Sequence, residues 1–237
     1  MFGFGKDDKK TVALPKRPAL DAARGPKEDN GIVGNTATGL VERLLDMGID
    51  GRRPFDSAAA VARQAAAKHP RPDDAVDEIV KDATILAAAG GFLTSMGGFI
   101  TMPVSLPINV VEFYLVATRM VAAIAKVRGY DIDQPEIRSA VLLTLVGADA
   151  DDLLAKAGVV VPAGRLANLA AQRLPGPVLM VVNKAVGFRI LSTAGKGVLS
   201  RFGRGVPIAG GVVGAGLDTY LLRRIADNAR REFPIVR

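Results

Sequence analysis

The 237-residue sequence contains no cysteine and no tryptophan, and only 5% of its residues are aromatic. The absence of cysteine excludes disulfide scaffolds, zinc-thiolate sites and cysteine nucleophiles. Histidine is almost absent too, because His69 is the only one, and it stands at a predicted helix end with no H-E-x-x-H or G-x-S-x-G context around it. The glycine tracts contain no G-x-x-x-x-G-K-[ST] phosphate loop. We therefore predict no metal, no cofactor and no assignable catalytic residue.

What the sequence has in abundance is small apolar residues, which raise its hydrophobic content to 49% beside 23% charged residues. From residue 39 onward these residues recur at helical spacing, and no strand-like alternation is convincing. The sequence therefore predicts an all-α fold, a compact bundle of about eight to ten helices with two Gly/Pro-rich apolar helical hairpins. Residues 1–35 mix charges with prolines and predict a disordered tail, so residues 36–237 form a single domain. The charges among the first ten residues argue against a secretory signal and predict a cytoplasmic protein.

Helix punctuation gives the expected boundaries. We expect an apolar stripe from Gly39 to Met47 that ends at Gly48, and then an alanine-rich helix that is capped by Asp56 or Ser57 and ends near Lys68. Asp73 should cap the next helix. Asp133 should cap a later helix that has Pro135 in its first turn and runs through Val146, and a short helix from about Asp149 should be closed by Gly158.

Positive charge is concentrated in the C-terminal third. Residues 165–237 hold 12 basic and 3 acidic side chains, whereas residues 1–164 carry a net charge of −2. The basic residues closest to an uncharged stretch at 205–217 flank it on both sides: Arg201, Arg204, Arg223 and Arg224. Arginines on both sides of an apolar helix suit an anionic membrane surface, with the cations at the phosphates. Nucleic acid is the weaker alternative, because the aromatics of this region follow no nucleic-acid-binding motif.

Two long uncharged runs allow more than one interpretation. Residues 83–111 contain no charge and exceed the roughly 20 residues that cross a bilayer, but glycines and the prolines Pro103 and Pro107 divide them. Residues 205–217 form the second run. A hairpin inserted into one leaflet and a buried core hairpin both fit this pattern better than a clean span. An integral membrane protein is a further alternative.

Charged side chains recur every seven residues after Pro107. Glu112, Arg119 and Lys126 therefore share one helix face, and Asp218, which ends the second uncharged run, is a plausible partner for Arg119. One hypothesis is a polar pocket lined by Glu112, Arg119 and Asp218, in which a hydrolase-like enzyme acts on a lipidic or amphipathic substrate. The other is a set of satisfied ion pairs between packed helices.

An ordered series of motifs over about 190 residues, from Leu44 to Phe233, resembles the EcsC protein family. The series comprises Gly-Ile-Asp-Gly-Arg-Arg-Pro-Phe at 48–55, the positions Gly91, Phe92, Thr94, Gly97, Gly98, Pro103, Leu106 and Pro107, the run from Arg119 to Ala125 with Gly129-Tyr130-Asp131, and Val206 to Gly214 with Asp218 and Ile225-Ala226. The resemblance implies a bacterial protein that associates with membranes, in a family without an established activity, and it implies no catalytic residues.

Taken together, these features predict a membrane-associated accessory protein at the inner face of the cell membrane. It would bind anionic lipid or a membrane protein through the basic C-terminal helices, with Arg201, Arg204, Arg223 and Arg224 as the membrane-binding residues. The hydrolase-like enzyme and the integral membrane protein stay as alternatives.

Overall fold

The computed structural model describes residues 32–52, 55–88, 108–147, 150–160, 166–202 and 210–236. In these ranges it contains eight α-helices of seven residues or more and no strand, which confirms the predicted all-α fold. The helices are α1 (Ile32–Arg43), α2 (Ala58–Lys68), α3 (Pro72–Ala88), α4 (Ile108–Val127), α5 (Pro135–Val146), α6 (Ala150–Lys156), the single turn α7 (Leu169–Gln172), α8 (Gly176–Phe202) and α9 (Gly210–Glu232). A π-helical segment, Leu44–Asp50, continues α1, and a 3₁₀ turn, Leu166–Asn168, precedes α7.

Helix α4 forms the centre of the bundle. The π-helical segment, α2, α3, α5 and α9 all pack against it. Its residues 120–125 are almost completely buried, each no more than 1% exposed. Most of these residues are alanine or valine, and such small side chains let five neighbouring elements approach one helix closely. α8 packs along the outside of α1 and α5.

Two predicted helix boundaries are confirmed by local hydrogen bonds. Ser57 caps α2, where its hydroxyl accepts a hydrogen bond from the amide of Ala60 at 3.2 Å, and α2 ends at Lys68 as expected. Gly158 closes α6 with φ of 75°, and the amides of Gly158 and Val159 donate back to the carbonyls of Ala155 and Leu154. This pair of bonds is the Schellman arrangement, which requires a residue that tolerates positive φ.

Three other boundary predictions are wrong. α3 begins at Pro72, so Asp73 lies in its first turn, where its carboxylate bonds Arg128. α5 also begins at a proline, so Gln134 occupies the cap position in place of Asp133. Proline suits the first helical position because its fixed φ is already helical and its missing amide would have no partner there. Gly48 does not end the first helix, since it lies inside the π-helical segment.

Contacts near the start of α3 and near its end show in which direction α4 and α9 run relative to α3. Arg128 near the end of α4 bonds Asp73 at the start of α3, whereas the later part of α3 faces Val116 to Met120. Arg230 of α9 bonds Asp77, whereas Arg223 lies beside the α3 segment 80–85. α3 is therefore antiparallel to both α4 and α9. The last residue of α3 and the first residues of α4 and α9 consequently lie at one end of the bundle, which we call the apolar end.

The opposite end of the bundle is closed by Arg128. The residue is 8% exposed, and its side chain donates to the carbonyls of Arg230 and Phe233 at 2.7 and 3.0 Å, and to Asp73 at 2.7 Å. The backbone carbonyl of Arg128 accepts from the amide of Val236 at 2.9 Å. A cation suits this position, because the last carbonyls of a helix lack intrahelical partners and carry partial negative charge.

No helix in the described part of the chain is both long enough and apolar enough to span a membrane. Most of the first uncharged run, residues 89–107, and residues 205–209 of the second lie outside the described residues. The predicted tail, residues 1–35, also lies outside them up to residue 31, and α1 begins at Ile32.

Candidate functional site

The outer face of α9 carries an exposed basic stripe. Tyr220 is 60% exposed, and Arg223, Arg224, Asp227 and Arg231 are exposed at spacings of three and four residues, which place them on one face. Arg231 bonds Asn228 on the same helix. The stripe begins three residues after Leu217, where the uncharged part of α9 ends.

Two arginines of this stripe lack a salt-bridge partner among the residues that the structure describes. Arg230, which is half-buried beside the stripe, pairs with Asp77 and Asp227. Arg223 and Arg224, in contrast, form no salt bridge with any residue that the structure describes. Exposed arginines without a counter-ion keep their full attraction for an external anion. They are the two predicted membrane-binding residues whose side chains the structure describes. Arg201 lies in the last turn of α8, where only the backbone is described, and Arg204 lies outside the described residues.

A groove between α3 and α9 continues from the basic stripe. It has a volume of about 460 Å³, and its walls hold Arg223, Lys81 and Arg230 beside the apolar side chains of Val80 and Ile85. Ile85 is 58% exposed, although it is a large apolar residue. The groove therefore places the exposed apolar side chain of Ile85 next to cations and next to the carboxylates of Asp77 and Asp227.

The three residues of the predicted polar pocket lie on two helices. Glu112 is buried in the first part of α4, Arg119 is half-buried two turns later, and Asp218 is half-buried on α9, which packs beside α4. Arg119 lines a cleft between α2, α3 and α4, and neither Glu112 nor Asp218 is among the residues that line it. The structure thus places Arg119 in a cleft whose other polar side chains come from α3 and from the α2 region.

Arg119 is held against an aromatic ring at the wall of this cleft. Its guanidinium carbon lies 5.2 Å from the centroid of the Phe55 ring, within the range of a cation–π interaction. Burial lowers the pKa of Arg119, and the nearby carboxylate of Asp56 partly offsets that effect. The crevice on the ring side, between Met47, Phe55 and Leu115, has no room for a water molecule. The guanidinium is therefore reached from the cleft.

Several residues of the motif at 48–55 support this arrangement, and spacing alone did not reveal their roles. A Cβ on Gly48 would lie 2.8 Å from Thr118 Cγ2, so glycine lets the π-helical segment approach α4. Asp50 accepts two hydrogen bonds from Arg138 of α5, both at 2.7 Å. Gly51 has φ of 77° at the turn toward α2, a conformation that side chains rarely adopt. The motif thereby fixes Phe55 beneath Arg119.

Sequence reasoning missed Arg128 and Arg138, which hold helices together through residues far away in the chain. Arg128 bonds Asp73, 55 positions earlier, and Arg138 bonds Asp50, 88 positions earlier. No local pattern marks either partner. Among the residues that the structure describes, no three histidine, aspartate or glutamate side chains gather in a way that could hold a metal ion. Comparison of the chain with family models, curated proteins and solved structures finds no match.

Proposed function

We propose that this protein is a membrane-associated accessory protein that binds anionic lipid, or a membrane protein lying in it, through the basic C-terminal helices α8 and α9. The observation that carries the proposal is the position of the helix ends that lead into the two uncharged runs. α3 ends and α4 begins around residues 89–107, α9 begins just after 203–209, and these three helix ends share the apolar end of the bundle. Both runs can therefore meet one membrane surface together.

The basic stripe supports the same orientation. Arg223 and Arg224 follow Leu217 by six and seven residues, a distance of roughly 9–10 Å along a helix. With the uncharged start of α9 at the acyl boundary, two unpaired guanidinium groups would lie near the headgroup phosphates. Tyr220, exposed between them and the uncharged segment, has the amphipathic character that suits the interface.

The proposal places the protein on the cytoplasmic face of the cell membrane, because anionic lipids give that leaflet a negative surface potential. It also includes membership of the EcsC family, supported by the motif at 48–55, whose residues Gly48, Asp50, Gly51 and Phe55 all have specific structural roles. A positioned motif is more specific than a chance match of letters. No enzymatic step is part of the proposal.

Vesicle co-sedimentation tests the proposal. Detergent-free protein is mixed with neutral phosphatidylcholine vesicles and with vesicles containing phosphatidylserine, across a series of salt concentrations. The decisive variants are Arg223→Gln with Arg224→Gln, and the fourfold variant that also carries Arg201→Gln and Arg204→Gln. Since each basic residue near such a surface contributes about 1 kcal/mol, the double variant should bind about 30-fold more weakly.

A matched control removes the same charge elsewhere. Arg63→Gln with Lys126→Gln changes two exposed cations on α2 and α4 outside the basic stripe. The control should bind anionic vesicles within about threefold of the wild type. Equal losses in both double variants would mean that net charge alone drives binding, and absence of binding to anionic vesicles at physiological salt would refute the proposal.

A further inference from the structure

We infer that the cleft at Arg119 is a binding site for a single-chain amphiphile with an anionic head, either a carboxylate or a phosphate monoester. This site is separate from the basic stripe on α9, and the inference does not rest on the proposed membrane function. Its basis is a half-buried guanidinium with unused hydrogen-bond donors in a cleft that also has an apolar wall.

The guanidinium of Arg119 lacks an acceptor in the described part of the chain. Arg119 forms no hydrogen bond or salt bridge with any described residue, and its guanidinium lies over the face of the Phe55 ring. Arg128 and Arg138, by contrast, have acceptors: Arg128 bonds carbonyls and Asp73, and Arg138 bonds Asp50. A guanidinium has five donors in a planar fork that matches the oxygens of carboxylate and phosphate groups. An anionic ligand would satisfy donors that the fold leaves open.

The cleft extends from this cation along apolar side chains. Its volume of about 400 Å³ lies within the range of small-molecule sites, about 300–1,000 Å³. The apolar part of the lining comes from all three helices: Val61 and Ala65 of α2, Ile79, Ala83, Ile85 and Leu86 of α3, and Val116 and Met120 of α4. A cation at one side of an apolar cleft suits an alkyl chain with a charged head.

Exposed carboxylates limit the affinity of the cleft for anions. Asp56 and Asp82 are exposed lining residues, whereas Glu78 is paired with Lys68 at 3.1 Å and with Lys81 at 3.7 Å. Asp56 is also the carboxylate whose field reaches Arg119. Removal of its charge should therefore strengthen the binding of an anion, whereas it would weaken the binding of a cation. This opposite sign distinguishes the two ligand classes.

Isothermal titration calorimetry with defined probes tests the inference. Dodecanoate and dodecyl phosphate, each below its aggregation concentration, are titrated into the full chain, with dodecyl maltoside as the neutral comparison. We expect one site per chain for at least one anionic probe, and binding to dodecyl maltoside at least tenfold weaker. Dodecanoate alone, dodecyl phosphate alone or both would identify the head group that the cleft accepts.

Paired variants assign the site. Arg119→Gln should weaken binding of the anionic probe by about tenfold or more, whereas Arg63→Gln on the exposed face of α2 should change it less than twofold. Asp56→Asn leaves Arg119 in place and should tighten binding about two- to threefold, which keeps the test decisive if Arg119→Gln does not fold. The variant with Arg223 and Arg224 changed to glutamine should bind as the wild type does.

Two results would overturn the inference. One is the absence of saturable binding by both anionic probes. The other is binding that neither Arg119→Gln nor Asp56→Asn alters, since the head group would then lie elsewhere. A failure of vesicle binding would leave this result unaffected, because the vesicle experiment depends on Arg223 and Arg224.

Discussion

Replacement of Arg128 by methionine should strongly destabilise the bundle at the end opposite the apolar end. The substitution keeps a long side chain in the buried position and removes all three hydrogen bonds of the guanidinium. Two of them reach backbone carbonyls at the end of α9, and hydrogen bonds to a charged donor contribute about 1.5 kcal/mol or more each. The ion pair with Asp73 adds under about 1 kcal/mol, because the side chain of Asp73 is 69% exposed.

The expected loss is therefore about 3–4 kcal/mol, a large part of the 5–15 kcal/mol that stabilises a typical domain. Urea unfolding followed by circular dichroism at 222 nm measures it. At a slope of about 2 kcal/mol per molar urea, the midpoint should fall by about 1.5–2 M. Arg128 Nε is buried without a partner, so part of the desolvation cost is already present in the wild type.

The companion variant Asp73→Asn separates the carbonyl bonds from the ion pair. It keeps both bonds from Arg128 to α9 and should cost less than about 1 kcal/mol. Equal losses for Arg128→Met and Asp73→Asn would refute the assignment of stability to the carbonyl bonds. A loss below about 1 kcal/mol for Arg128→Met would refute the role of Arg128 as the residue that fixes the end of α9.

The remaining predictions concern close packing, an ion pair and a buried phenol. Gly48→Ala should cost about 1–3 kcal/mol in urea unfolding, because the new Cβ would lie 2.8 Å from Thr118, whereas Gly39→Ala on α1 meets open space and should stabilise by up to about 1 kcal/mol. A double-mutant cycle of Asp50→Asn with Arg138→Gln should give a coupling of about 1 kcal/mol, and a coupling near zero would contradict the two 2.7 Å bonds. Burial raises the pKa of Tyr114 above its usual value of 10.0, so one phenol should ionise late in a titration at 295 nm and Tyr114→Phe should remove that step. Since the folded state holds this proton more tightly, the stability linked to Tyr114 is complete below pH 10 and falls as pH rises above it.

Local signals predicted the helices well, because caps and stops depend on neighbouring residues. Ser57 and Gly158 act within four residues of their own positions, so the sequence pattern contains the whole mechanism. The predicted cap Asp133 lies one residue before the observed cap, Gln134, whereas the predicted cap Asp73 lies one residue after the first helical residue, Pro72. A first-turn proline makes the residue before it the cap. The predicted end at Gly48 was wrong for a different reason. Because glycine lacks a Cβ, it can either end a helix or permit close packing between two helical segments. At Gly48 the role is close packing, and only the position of its neighbour Thr118 in the fold reveals this.

The candidate site was less predictable because its partners are distant in the chain. The seven-residue spacing of Glu112, Arg119 and Lys126 correctly placed them on one helix, but they are buried, half-buried and exposed respectively. Neighbouring helices bury α4 to different extents along its length, and the spacing of residues in the sequence does not predict how deeply each one is buried. The aromatic partner of Arg119, Phe55, comes from a turn 64 positions earlier.

The two ends of the bundle differ in how their charged groups are used, and the proposed membrane association depends on that difference. At one end, the charged side chain of Arg128 forms intramolecular bonds, because it donates to the carbonyls at the end of α9 and pairs with Asp73. At the other end, α3, α4 and α9 lead into or out of stretches without a charge, and Arg223 and Arg224, which form no salt bridge with a described residue, follow on the outer surface. Composition alone does not separate lipid-facing from protein-facing apolar residues, because small apolar side chains suit both. The proposed function rests on position instead: uncharged stretches that begin at the same end of a bundle can reach one surface, and cations about two turns away can neutralise its phosphates.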